Sequence, residues 1–257
     1  MGSKRIDPLV ALAPSQGKRR VFLLDEAELL AREGANALLK TLEEPPPAAV
    51  IVLVSASEHR VLPTIRSRCQ RILFRPLDDE AMQRWAALPD SPLAGLDEAD
   101  AAWILRFAAG SPGLAALAAE TNLLRWRDAL EPLLDRVETG QPAPSLGSTL
   151  AALVDDWAAA WVKAHAGASK EAANHRAASL LFRLLGQRAQ RALESAEGRP
   201  RCTAAALART GALSQAEAWL ASNVSPKLVF AWLAGAWGQA ERSPCRALFR
   251  PPLAVLS

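Results

Sequence analysis

Nothing in this chain suits a disulfide scaffold, a metal cage or a membrane span. Its three cysteines, Cys69, Cys202 and Cys245, lie far apart and fit no Cys-x-x-Cys spacing, and pairing two of them would leave one over. They read as reduced thiols. The three histidines, His59, His165 and His175, show no metal-ligand spacing, and a histidine in a core or on a surface needs no ion, so no metal is expected. The longest apolar run, around Ala48 to Ala56, falls far short of the ~20 residues that cross a bilayer. The first residues have neither the apolar core of a signal peptide nor a myristoylation pattern. A cytoplasmic protein without membrane contact is expected. Also absent is a phosphate-cradling glycine loop. Gly17-Lys18 is followed by Arg19, has no glycine five residues earlier, and precedes a strand instead of following one.

What the chain does contain is apolar surface in plenty. Half of its 257 residues are hydrophobic, which argues against disorder and allows one large domain or two to three small ones. The net charge of +3 is mild, and the arginines are spread along the chain instead of gathered in a tail. That permits contact with nucleic acid, while a solvated helical surface accounts for most of these residues.

Periodicity divides the chain. Residues Met1 to Gly17 hold Pro8 and Pro14 and little pattern, as in a surface lead-in. Val21 to Leu24 and Val50 to Ser55 are β-prone runs of the kind found in parallel strands buried on both faces, and Ile72 to Phe74 is a third candidate. Between the first two, Leu30 to Leu42 has helical spacing and ends at Pro45-Pro46-Pro47. Pro63 opens a short helix reaching Arg68. Strand, helix, strand, helix, strand is the pattern of a parallel α/β sheet. After Pro76 only helical periods occur. Acidic starts at Asp78-Asp79-Glu80 and Asp97-Glu98, and a stop at Gly110-Ser111-Pro112-Gly113, outline a small helical module from Leu77 to Thr121. About five helices follow Leu123, broken near Gly140 to Pro144, Gly167, Gly198 to Pro200 and Asn223 to Pro226. Trp157, Trp161, Trp232 and Trp237 sit on amphipathic faces that must pack against something, either a helical core or a partner.

Two short segments carry chemistry. Asp25-Glu26 ends the first strand, where open α/β sheets bind ligands. In nucleotide hydrolases the first carboxylate of such a pair holds the magnesium shell and the second polarises the attacking water; capping of the next helix accounts for the pair equally well. Ser67-Arg68-Cys69 closes the short helix. An arginine held there on a rigid element can reach a phosphate on a neighbouring subunit, and a finger supplied in trans is worth roughly 10³ to 10⁵ in rate.

Asn36-Ala37-Leu38-Leu39-Lys40-Thr41-Leu42-Glu43-Glu44-Pro45-Pro46, followed by Thr64-Ile65-Arg66-Ser67-Arg68-Cys69, resembles the bacterial clamp-loader ATPase family, the AAA+ subunits that load the sliding clamp for DNA polymerase III. The resemblance is tight from Val21 to Phe74, fair through Ala119 and loose beyond. By it, Asp25 and Glu26 match the Walker B position, Ser55 the approximate first sensor, and Arg68 the trans-acting finger. Family members carry an upstream segment with the P-loop and a four-cysteine zinc module; neither lies in these residues. The family's sheet order would place the P-loop strand between Val50 to Ser55 and Ile72 to Phe74.

The resemblance implies a partial AAA+ core over 1–76, a helical lid over 77–121 and an all-α collar over 122–257. Within the family, the motor subunit gamma or tau has a sensor arginine in a Gly-Ser-x-Arg segment, where this chain has Gly113. Gly110-Ser111-Pro112-Gly113 and Asn223-Val224-Ser225-Pro226-Lys227-Leu228 look like the delta-prime subunit. The expected protein is a non-catalytic, delta-prime-like member of a hetero-oligomer with gamma/tau and delta subunits, the sliding clamp and primer-template DNA. It would bind no cofactor itself, with ATP and magnesium on its neighbours, Asp25 and Glu26 idle, and Lys40 and Arg71 as candidate DNA contacts. The rivals are a fragment of the ATP-hydrolysing motor and a helical adaptor with an inactive α/β remnant.

Overall fold

The computed structural model describes residues 18–46, 48–196, 199–222 and 224–240. The lead-in Met1 to Gly17, Pro47, Gly198, Asn223 and Cys245 lie outside the described residues. The chain divides into two compact units, Met1–Arg75 and Pro76–Ser257. Strands and α-helices are numbered in chain order.

In the first unit β1 (Arg20–Leu24) and β2 (Ala49–Leu53) pair in parallel, in register from Arg20 opposite Ala49 to Leu24 opposite Leu53. Parallel neighbours need a crossover, and α1 (Arg32–Glu43) supplies it. It stops at Glu43, because Pro45 and Pro46 cannot continue a helix. Pro63 begins the single turn of α2 (Pro63–Arg66). Ala35 and Leu38 of α1 meet Val61 and Ile65, with Ile51 and Leu53 of β2 packed against them.

Two expectations are corrected here. β1 is not buried on both faces: both helices contribute to the core on one side of the sheet, leaving Val21 64% and Leu23 68% exposed on the other, with Val52 beside them. Ile72 to Phe74 is not a strand. An apolar run becomes a strand only where a neighbour supplies ladder hydrogen bonds, and β1 and β2 pair with each other alone among the described residues. Phe74 is accordingly 91% exposed.

The second unit is entirely helical among the described residues: α3 (Asp79–Ala86), α4 (Glu98–Ala108), α5 (Pro112–Glu120), α6 (Leu124–Glu138), α7 (Leu146–Ala164), α8 (Lys170–Glu194), α9 (Pro200–Ala221) and α10 (Pro226–Gln239). Helix starts follow local chemistry. Asp78 accepts from Ala81 N at 2.8 Å, Asp97 from Asp100 N at 2.7 Å, and Ser111 from Leu114 N at 3.3 Å, each satisfying an amide of the first turn. Gly110, at φ 83°, lies so close to the incoming chain that a Cβ there would stand 2.5 Å from Leu77 O. Leu77 N donates to Gly110 O at 2.8 Å, tying the start of the unit to the end of α4.

One main core runs through most of it, with a small separate cluster of Ala205, Ala208 and Ala240. Ile104, Phe107 and Ala118 share a cluster with Leu123, Trp126, Leu181, Phe230 and Trp237, so the expected lid and collar segments are packed as one body on either side of residue 121. Arg183 and Gln187 of α8 reinforce this by capping the carboxyl end of α4: Arg183 Nε donates to Phe107 O at 2.9 Å and Gln187 Nε2 to the same oxygen at 2.9 Å. All eight tryptophans are buried in this core or packed against it. The aromatic faces noted in the sequence are thus used internally.

Candidate functional site

The carboxyl ends of the two strands come together as expected of an open α/β sheet. Val54 N donates to Leu24 O at 2.8 Å and Ala27 N to Val54 O at 2.9 Å, so the chain leaving β1 is pinned to the end of β2. Between these anchors Asp25 and Glu26 are exposed. Asp25 Oδ1 accepts from Glu26 N at 2.9 Å, and Glu26 adopts a left-handed backbone, φ 52°, that non-glycine residues adopt at a cost. The strained turn leads into a 3₁₀ turn, Ala27–Leu29, whose buried Ala27 faces inward.

Ser55 lies at the same edge, half-buried. Its Oγ accepts from Ser57 N at 3.1 Å, and its hydroxyl is the main reason that the Glu28 carboxyl is held below its ordinary range; Ala56 N, donating to Glu28 Oε1 at 3.3 Å, and the charge of Arg60 act in the same direction. Glu28 was not singled out in the sequence. Its neighbours Ser55 and Ala56 are distant in the chain, and no spacing links them. Asp25, Glu26, Glu28 and Ser55 therefore form a polar rim on two adjacent parallel strands. The described residues include no group of three or more histidine, cysteine or carboxylate side chains that could hold a metal ion.

Arg68 lies just past α2, on the same unit. Its Nη1 donates to Thr64 O at 2.9 Å, and its Nη2 meets Glu43 Oε1, at the end of α1, at 2.6 Å. The side chain stays 35% exposed, so the guanidinium is held at the surface. Arg66 and Arg71 both pair with Glu58. Lys40 is exposed on α1. In the second unit, Gly113 stands in the first turn of α5 with nothing within 4 Å of where a Cβ would be.

The described part of the first unit is thus a parallel strand pair with acidic residues at its carboxyl edge and a surface arginine just past the short helix α2. Residues 4–78 match the family described as DNA polymerase III, delta subunit. Over that stretch the chain is similar to subunits of the DNA polymerase III clamp loader. It is 42% identical over 98 residues to the DNA polymerase III subunit delta' of Pseudomonas aeruginosa, covering 37% of this chain and 28% of that protein. It is 38% identical over 101 residues to the gamma/tau subunit of Mycobacterium tuberculosis, covering 39% of this chain and 18% of that protein. The chain thus spans 18% and 28% of these two relatives' lengths. A solved gamma subunit-related protein of Thermotoga maritima aligns with 92% of this chain and 78% of its own, at 19% identity and a TM-score of 0.43. No helix among the described residues is long and apolar enough to cross a membrane.

Proposed function

We propose that this chain works as a delta-prime-like subunit of a DNA polymerase III clamp loader, contributing Arg68 to the ATP site of a neighbouring motor subunit. The observation that carries this reading is the placement of Arg68: a guanidinium held at the surface just beyond a one-turn helix, paired with Glu43 at the end of α1. Transfer of a phosphoryl group is catalysed by positioning and charge stabilisation, and a planar guanidinium fits three equatorial oxygens better than an ammonium does.

The chain itself hydrolyses no ATP in this reading. Gly113 offers no charge where the motor subunits of the family have an arginine, and Asp25 and Glu26 rest idle. The second unit, corresponding to lid and collar, holds the subunit in its ring with gamma/tau and delta, and clamp and primer-template DNA meet it in that cytoplasmic assembly. Exposed Leu207 and Leu228 on α9 and α10 are contacts such a ring could cover. Lys40 and Arg71 are secondary candidates for DNA; Arg71 is engaged by Glu58.

The test is a complex reconstituted from this chain and the motor and delta subunits of the same organism, assayed for ATP hydrolysis with clamp and primed DNA. Arg68→Ala should leave assembly intact and reduce hydrolysis by at least ~10²-fold at the site concerned, with Arg68→Lys rescuing poorly. Unchanged hydrolysis with a lowered melting temperature would make Arg68 an ordinary ion-pair member. Turnover by the chain alone, abolished by Glu26→Gln, would favour the motor reading.

A further inference from the structure

The guanidinium of Arg68 is already engaged. Glu43 Oε1 sits 2.6 Å from its Nη2, while Thr64 O and Ser67 Oγ accept from Nη1 at 2.9 and 3.4 Å. The geometry follows from the sequence around each partner. Glu43 is the last residue of α1, halted there by the prolines, and Arg68 follows the short α2, which packs on α1 through Ile65, Ala35 and Leu38. The other nearby carboxylate, Glu58, is taken by Arg66 and Arg71, so Glu43 and Arg68 form a separate pair.

A finger acts by presenting net positive charge to a phosphate. A carboxylate at 2.6 Å neutralises that charge and would itself repel the arriving phosphate oxygens. We infer that Glu43 is a positioning residue that holds Arg68 against the end of α1 and must release it when a neighbour's terminal phosphate engages. This rests on the reading of Arg68 as a trans finger. Both side chains are partly exposed, 35% for Arg68 and 50% for Glu43, so the restraint is weak and reversible. Its removal should raise the finger's effectiveness by roughly two- to five-fold, the scale of an exposed ion pair, and the gain should be screened by salt.

The experiment uses the reconstituted complex with clamp and primed DNA, comparing wild type, Glu43→Gln, Glu43→Asp, Arg68→Ala and Glu43→Gln/Arg68→Ala at ~0.05 M and ~0.5 M salt. Glu43→Gln should raise ATP hydrolysis roughly two- to five-fold at low salt and less at high salt. Glu43→Asp, one methylene shorter, should shift it in the same direction. The gain must vanish when Arg68 is alanine. If Arg68→Ala lowers hydrolysis but the Glu43 variants leave it unchanged or reduce it, the restraint is refuted and the finger stands. If Arg68→Ala changes nothing, the finger reading fails, and the restraint with it.

Discussion

Removing the Glu138 carboxylate should destabilise the helical unit by about 3 kcal/mol, and the structure shows why. Glu138 closes α6 and meets three helices at once. Arg188 of α8 donates to Oε1 at 2.9 Å and Oε2 at 2.7 Å, Trp237 of α10 donates its indole N–H to Oε1 at 3.0 Å, and Arg209 of α9 stands 3.9 Å from the same oxygen. Glu138 is 20% exposed and Arg209 only 4%. Breaking such a buried pair costs about 3–5 kcal/mol. The lower end applies because Arg188 keeps its contact with the exposed Asp135. At about 2–4 °C per kcal/mol for a unit of this size, Glu138→Ala should lower Tm by roughly 6–12 °C, and Glu138→Gln, which keeps an acceptor for Trp237, by about half as much. Burial alone would raise the Glu138 carboxyl, but the hydrogen bond and charge of Arg188, with Trp237 and Arg209, outweigh it and hold it below its ordinary value. A depressed carboxyl contributes stability above its unfolded value and loses it as pH falls through the folded one. The wild-type advantage should therefore be complete at pH ~7 and shrink below about pH 4.5. Calorimetry of wild type and both variants across that range is the assay. A Tm change under ~2 °C for Glu138→Ala, or an advantage that grows on acidification, would refute the argument.

Glycines separate crowded from open positions. A Cβ on buried Gly147 of α7 would lie 2.9 Å from Ala231 Cα, so Gly147→Val should cost at least ~2 kcal/mol in thermal or chemical melts by forcing α7 and α10 apart. Gly113, open on all sides, should gain about 0.4–1 kcal/mol on replacement by alanine, measurable as a higher midpoint in the same melts. Hydrogen exchange should find the amides of Ile72, Leu73 and Phe74 unprotected while those of α8 exchange slowest, since the first lie outside any strand and the second line the main core. Slow exchange at Phe74 in the isolated chain would show a partner strand that the structure lacks.

Much of the helical unit was determined by the sequence alone. Asp78, Asp97 and Ser111 act within a few residues of themselves, and the breaks near Gly140 and Gly167 stop helices by backbone conformation, so the starts of α3 to α5 and the ends of α6 and α7 needed no knowledge of tertiary contacts. The acidic pair at the end of β1 and the arginine after α2 were legible for the same reason, as was the relationship to clamp-loader subunits, carried by contiguous segments. Tertiary structure decided the rest. Whether Ile72 to Phe74 became a strand depended on a neighbour, and whether Val21 and Leu23 were covered depended on which side the helices took. The tryptophans could have served a partner and instead fill a core shared across residue 121. Glu43 with Arg68, Glu28 with Ser55, and Glu138 with Arg188 are pairs far apart in sequence, invisible to any periodicity. They arise because packing brings distant turns and helix ends within a few ångströms, and a charge brought there must find a counter-charge or remain in water.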